Sequence, residues 1–201
     1  MADPRIGRIL VAGLHQAIEE ELPARTDFYE HWLAGNGLRG KTIGMAPMLA
    51  VLSFLRAEGQ PYDRVVDRAG RLVAQWYVDR VPTWRRTVAR RLPVAIRARL
   101  ALRGVNRLIR ETYSGSSSRS RLARGRGSVT VTASLFCDVR TPSTSPLCRF
   151  YAGVARGLLD AYGVSSVAVV EQCRGVGDAR CTVALALGRR HASDDEGSAS
   201  E

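Results

Sequence analysis

Four cysteines carry the most distinctive chemistry in this 201-residue chain, and all of them fall between positions 137 and 181: Cys137, Cys148, Cys173 and Cys181. Deprotonated thiols are soft donors, and four of them, or three with the carboxylate of Glu171, suit a tetrahedral zinc ion. Cys173 and Cys181 bracket the segment RGVGDAR, which reads as the loop of a hairpin, so strand pairing brings them together. Cys148 stands near the start of the helix before that hairpin, and Cys137 at the end of the preceding strand. Each lies at the terminus of an element, and the four termini can meet at one edge of a sheet. The spacing is not the usual C-x₂-C. The same residues therefore also read as small buried apolar side chains, Cys137 most readily because it continues the apolar face of its strand.

A second pattern, GNGLRGKT from Gly35 through Gly40 and Lys41 to Thr42, has the form of a phosphate-binding loop. In such a loop backbone N–H groups cradle phosphates, lysine reaches the terminal phosphates and threonine holds Mg²⁺. Lys41 is the only lysine among 30 basic residues. The context is wrong, however. A phosphate loop follows a buried strand, whereas TDFYEHWLA at 26–34 reads as helix and no parallel α/β pattern follows. A glycine-rich turn between helices is the simpler reading, and a nucleotide binder remains an alternative function.

Charge is concentrated. From Arg85 to Arg126 there are 13 arginines and one acid, Glu111, while the rest of the chain holds 17 basic against 18 acidic residues. Arg99, Arg103, Arg107 and Arg110 share one helix face. Such a surface attracts polyanions, nucleic acid or anionic membrane non-specifically, and it equally suits a solvated face in an arginine-rich composition. No helix-turn-helix, RNA-binding or zinc-finger pattern accompanies it. Catalytic groups are scarce. The histidines are His15, His31 and His191, and no HExxH, GxSxG or nucleophile–base pairing occurs. Nothing requires an enzyme.

The elements that must position these residues follow from periodicity. Composition is that of an ordinary globular domain, 45% hydrophobic and 24% charged. One domain over residues 1–190 is expected, with a disordered acidic tail at 191–201. The longest uncharged stretch, residues 42–55, is short of the roughly 20 residues a membrane helix needs. With no apolar leader at the N-terminus, a cytoplasmic protein is expected. Ile6, Leu10, Leu14 and Ile18 recur at helical spacing up to Pro23, and further helices fit 26–33 and 45–57. The strongest pattern starts at Pro61, with Val65, Val66, Ala69, Leu72, Val73, Trp76 and Tyr77 on one stripe. Two more helices flank Pro93. After a Gly/Ser segment at 114–120, residues 128–137 alternate as a half-buried strand. A helix from Leu147 to Gly163 follows, then strands at 166–173 and 181–187. Helices first, then strand, helix, strand and strand describe an α+β fold with a small antiparallel sheet.

The runs PLCRFYAGVARG at 146–157 and VVEQCRGVGDARC at 169–181 resemble the C-terminal signature of the 4-vinyl-reductase domain, over about residues 128–187. These domains are similar to TRAPP vesicle-tethering subunits and to the sensor domains of phenol-responsive bacterial transcription activators. The resemblance implies a helical layer over a small sheet, an apolar small-molecule pocket and a homodimer. It also implies a structural zinc held by three cysteines and a glutamate. Cys148, Cys173 and Cys181 match those cysteines in order. Val170 occupies the place of the glutamate and Glu171 lies one residue on, so Glu171 and Cys137 are the candidates for fourth ligand. Gly153 and Gly157 leave one face of their helix bare for close packing, expected against the sheet. A pocket nearby would be lined by Trp76, Val129, Val131, Phe150 and Val154. The function expected is a ligand-binding module with a structural zinc. An enzyme or scaffold of tetrapyrrole 4-vinyl reduction is the alternative that the family name implies.

Overall fold

Apolar periodicity and proline punctuation set the helical half. In a computed structural model of the chain, which describes residues 5–33, 42–138 and 143–188, a short strand β1 (Ile6–Gly7) leads into α1 (Arg8–Glu21). A 3₁₀ turn at Pro23–Arg25 then leads into α2 (Thr26–Leu33). Strand β2 (Thr42–Ile43) pairs antiparallel with β1 and opens onto α3 (Met45–Ala57). Gly59, at φ +74°, turns the chain from α3 into α4 (Gln60–Asp79). A residue with a Cβ is strained in that conformation. Pro82 and Pro93 stand at the N-caps of α5 (Thr83–Arg90) and α6 (Val94–Thr112).

The second half holds β3 (Ser117–Ala123), β4 (Arg126–Thr132), α7 (Arg149–Ala161), β5 (Ser166–Gln172) and β6 (Cys181–Leu187). The four strands form one antiparallel sheet in the order β3-β4-β6-β5. Helix α6 lies along β3 and α7 along β5, so the helices cover one face. Val129, Val131, Val183 and Leu185 point into that side and are fully buried, while Arg119, Arg121, Val167 and Val169 on the other face are exposed. The α+β architecture expected from the sequence is the one observed.

Two helices make the tightest contact. A methyl group added at Gly153 on α7 would fall 2.3 Å from the Asp67 carbonyl oxygen of α4, and one added at Gly70 on α4 would fall 2.3 Å from the Phe150 carbonyl oxygen of α7. At Gly157 it would lie 2.8 Å from the Ala74 methyl. The bare glycine face thus packs on α4 and not on the sheet as expected, because α4 brings its own glycine to the same place. Asp67 accepts ion pairs from Arg71, at 3.2 Å, and from Arg156 of α7; Asp63 pairs with Arg149 at 2.9 Å.

Three further differences from the expected elements have local causes. Strand β3 occupies most of the Gly/Ser segment at 114–120, where no strand is expected. Its inward serines meet a polar partner: Ser118 donates to Asn106 Oδ1, and Asn106 Nδ2 donates to Ser120, both at 2.9 Å. The strand expected at 128–137 ends at Thr132, because Ala133 adopts the left-handed conformation, φ +54°. Among the arginines, Arg97 is not part of a solvated face; it donates to the carbonyls of Tyr162 and Gly163 at 3.0 and 3.1 Å and closes the C-terminus of α7. The expected acidic tail and the residues from Gly35 to Lys41 lie outside the described residues.

The α4–α7 contact is directly testable. Gly153→Ala gains about 1 kcal/mol of helix propensity, but its methyl meets a backbone carbonyl that cannot rotate away. Overpacking of this kind costs about 1–3 kcal/mol or more, so a net loss of about 2 kcal/mol is expected in urea unfolding. Gly104→Ala on α6 meets only ordinary contacts at 3.5 Å and beyond. It is expected to be neutral or to stabilise by up to about 1 kcal/mol.

Candidate metal centre

Four elements deliver the cysteines. Cys148 is the N-cap of α7, and Cys137 ends a 3₁₀ turn, Leu135–Cys137, that follows β4. Cys173 and Cys181 flank the loop between β5 and β6. All four are buried, and their sulphurs lie within 4.8 Å of one another. Cys137 Sγ is 3.3 Å from Cys173 Sγ and 3.4 Å from Cys181 Sγ.

Two breaks of strand phase bring this about. Along β4, Val129 and Val131 face inward and alternation would send residue 133 inward too. The left-handed Ala133 ends the strand instead, with its carbonyl accepting from Ser116 Oγ at 2.8 Å, and Leu135, Phe136 and Cys137 turn into the core together. In the hairpin, Val170 pairs with Val183 but Gln172 pairs with Thr182, so Glu171 is the extra residue of a β-bulge. Val170 faces in, and strict alternation would aim Cys173 outward. The inserted residue reverses the phase and Cys173 becomes buried beside Cys181.

Glu171 itself is exposed on the outer face and outside the sulphur cluster. The structure therefore assembles Cys137, Cys148, Cys173 and Cys181, and leaves Glu171 apart: it follows the inward Val170 and faces solvent, and the bulge restores the inward phase only at Cys173.

The surroundings favour thiolate at two positions. Leu147 N–H donates to Cys173 Sγ at 3.3 Å, and Arg174 N–H to Cys181 Sγ at 3.5 Å. Hydrogen bonds from Cys137, Cys148 and Cys181, with help from Leu147 N–H, hold the Cys173 thiol below its ordinary pKa. Hydrogen bonds from Cys137 and Cys148 do the same for Cys181. Cys148 is pushed up, because it is a donor to Cys137, Cys173 and Cys181 and is buried. The loop between them is fixed by Asp178, whose carboxylate accepts from Cys173 N–H at 2.7 Å, and by Gly177 in the left-handed region. The donor set fits zinc. Zinc–sulphur bonds of about 2.3 Å put the sulphurs of a regular tetrahedron about 3.8 Å apart, which the observed spacings bracket. Four protein thiolates would leave no coordination position for water.

Phe136 stacks on Phe150 with ring centroids 4.7 Å apart, and Tyr151 meets both edge-on. Tyr62 Oη on α4 donates to the Leu147 carbonyl at 2.8 Å. Helices α4 and α7 are thereby tied to the cysteine cluster.

The expected pocket residues sit in this core. Val129, Val131, Phe150 and Val154 are fully buried and Trp76 is half-buried. Backbone contact at the glycines closes the space between α4 and α7. Two clefts lie elsewhere, one on the outer face of the sheet and one between α4, α5 and α7. Of the phosphate-loop residues, Gly35, Gly40 and Lys41 lie outside the described residues and Thr42 opens β2. The element before them is helix α2 and not a buried strand.

No protein-family model and no curated protein sequence matches the chain. Solved structures do. An H-NOX protein from K. algicida, determined in the Fe(II) unliganded state, matches with a TM-score of 0.59 over 92% of this chain and 98% of its own, at 10% identity. A trafficking protein particle complex subunit 3 from Naegleria fowleri, covalently bound to palmitic acid, matches with a TM-score of 0.48 at 14% identity, over 86% of this chain and 96% of that one. The phenol-responsive sensory domain of the transcription activator PoxR, with phenol, gives 0.43 at 15% identity over 73% and 77%. The chain thus has an H-NOX-like α+β fold. The 4-vinyl-reductase likeness itself rests on the two sequence runs.

Ala133→Gly removes a left-handed strain of about 1 kcal/mol from the residue that sends Cys137 inward. It is expected to raise unfolding stability by up to about 1 kcal/mol with the cysteine cluster intact, as measured by denaturant titration and thiol accessibility.

Proposed function

We infer that the protein is a small-molecule-binding module of the sensor type, in which a structural zinc fastens the helical layer to the sheet. The observation that supports the zinc is the convergence of four buried cysteine sulphurs from α7, the turn after β4 and the β5–β6 hairpin. Three separate chain segments sharing one point restrict the chain strongly, and the binding free energy of such a site is folding free energy. The two backbone N–H groups directed at Cys173 and Cys181 supply the outer hydrogen bonds that stabilise metal-bound thiolate.

Ligand binding is supported by the H-NOX-like fold and by the concentration of large apolar side chains between sheet and helices. The proposed contacts are Val129, Val131, Phe150, Val154 and Trp76. Because the space around Val154 is closed by the backbone contact between α7 and α4, a ligand reaches it only if these two helices separate. Val167 and Val169, exposed on the edge strand β5, favour pairing with a second copy, since an uncovered apolar edge associates readily. The outward Arg99, Arg103 and Arg110 give the module a non-specific attraction for anionic surfaces.

Native mass spectrometry of freshly purified protein tests these parts together. One zinc per chain is expected. Cys173→Ser is expected to lose zinc and lower the melting temperature in step, while Glu171→Gln retains both. Metal-free protein with unchanged melting under reducing conditions overturns the zinc assignment.

A thermal-shift screen of aromatic compounds, tetrapyrroles and fatty acids tests the ligand. A binder raises the melting temperature by mass action, by about 2.7 kcal/mol of stability at a hundredfold excess over Kd. A screen that shifts nothing removes the binding function and leaves a structural domain.

A further inference from the structure

The outer face of the sheet holds a concave groove of about 580 Å³, within the range of small-molecule sites. It is polar throughout. Register places Arg119 beside Thr130, Thr130 beside Thr182, and Thr182 beside Gln172, so one row crosses all four strands. Arg121, two residues along β3 on the same face, stands beside Ser128. The bulge at Glu171 brings Gln172 to this face, where its Oε1 accepts from Thr182 Oγ1 at 3.1 Å and from Arg180 Nε at 3.3 Å. Gln172 thereby holds the Arg180 side chain, which lines the groove, through its Nε.

Charge in the groove is one-sided. Arg119, Arg121 and Arg180 line it, and no described carboxylate does; Glu171 stands outside the lining. Arg119 and Arg121 form no ion pair with any described residue, although the chain offers many acids elsewhere. Guanidinium groups beside hydroxyl donors match the geometry of phosphate and sulphate oxygens. We propose that this groove binds a compact ligand carrying two or more phosphate or sulphate groups, with Arg119, Arg121 and Arg180 as charge partners and Thr130 and Ser128 as hydroxyl donors on its floor. The site is separate from the apolar core and does not depend on it.

Calorimetric titration with sodium tripolyphosphate at near-physiological salt tests the proposal. Titration with phosphatidylcholine vesicles containing phosphatidic acid distinguishes a free ligand from a lipid headgroup. The variants are Arg119→Gln/Arg121→Gln and, as a control for bulk charge, Arg99→Gln/Arg103→Gln on α6. All four residues are exposed, so each variant should melt with the parent protein. Saturable binding of tripolyphosphate at one per chain is expected, weakened about tenfold or more in the groove variant and less than about twofold in the control. Binding to vesicles alone, lost in the groove variant only, assigns the groove to a headgroup. No saturable binding to either probe, or equal loss in both variants, overturns the proposal.

Discussion

Backbone contact between α4 and α7 is the constraint on which the rest of this structure depends. Gly70, Gly153 and Gly157 remove the side chains that would hold the two helices apart, and each glycine costs helix stability of about 1 kcal/mol. In return the helices approach until carbonyl groups of one meet the Cα carbons of the other. Because α7 begins at Cys148 and packs along β5, while α4 packs on α1, this contact joins the N-terminal helices to the sheet. The carboxylates of Asp63 and Asp67 reach across to Arg149 and Arg156 and set the helices in register. Tyr62 extends the same line to the Leu147 carbonyl, one residue from Cys148.

The cysteine cluster then works at the N-terminal end of α7. Sheet strands and a helix N-terminus have no intrinsic reason to stay at a fixed distance, and the hydrophobic contacts between Phe136, Phe150 and Tyr151 alone would tolerate sliding. Four thiolates bound to one metal ion would not. The arrangement concentrates constraint where the sheet is most irregular, at the bulge and at the end of β4. Backbone N–H groups outside the strands and α-helices, at Leu147 and Arg174, are directed at sulphur. Irregular backbone and metal-type donors are therefore one feature seen from two sides.

Much of this was legible in the sequence. The bounds of α3 follow from Pro47 in its first turn and Gly59 just beyond its end, and the stripe on α4 identifies Val65, Val66, Ala69, Leu72 and Val73 of its buried face, while Trp76 and Tyr77 at its end are half-buried. The hairpin Cys173–Cys181 and the helix between 147 and 163 were equally plain. Three features were hidden, each for a physical reason. Strand β3 was invisible because its inward positions, Ser118 and Ser120, are satisfied by Asn106 through hydrogen bonds, so apolar alternation never arises. The partner of the α7 glycines was missed because a lone mid-helix glycine, Gly70, carries no periodic signal. The fourth cysteine was ambiguous because Cys137 continues the apolar alternation of β4 in sequence, while in space a left-handed alanine breaks it. The outer groove rests on the first of these, the polar strand β3, and on the bulge at Glu171.

The bulge at Glu171 has an evolutionary corollary. Along a strand, adding one residue reverses which side every later side chain faces, so the distance between Cys148 and Cys173 counted in residues is constrained in parity more than in length. A relative that lacked the extra residue would keep a buried sulphur by carrying its cysteine one position earlier, and one with a second bulge by carrying it one position later. Column-by-column alignment would score such chains as having lost a ligand that their folds retain. Kinship among domains of this architecture is better judged by which residues face inward at the end of the hairpin than by conserved spacing along the chain.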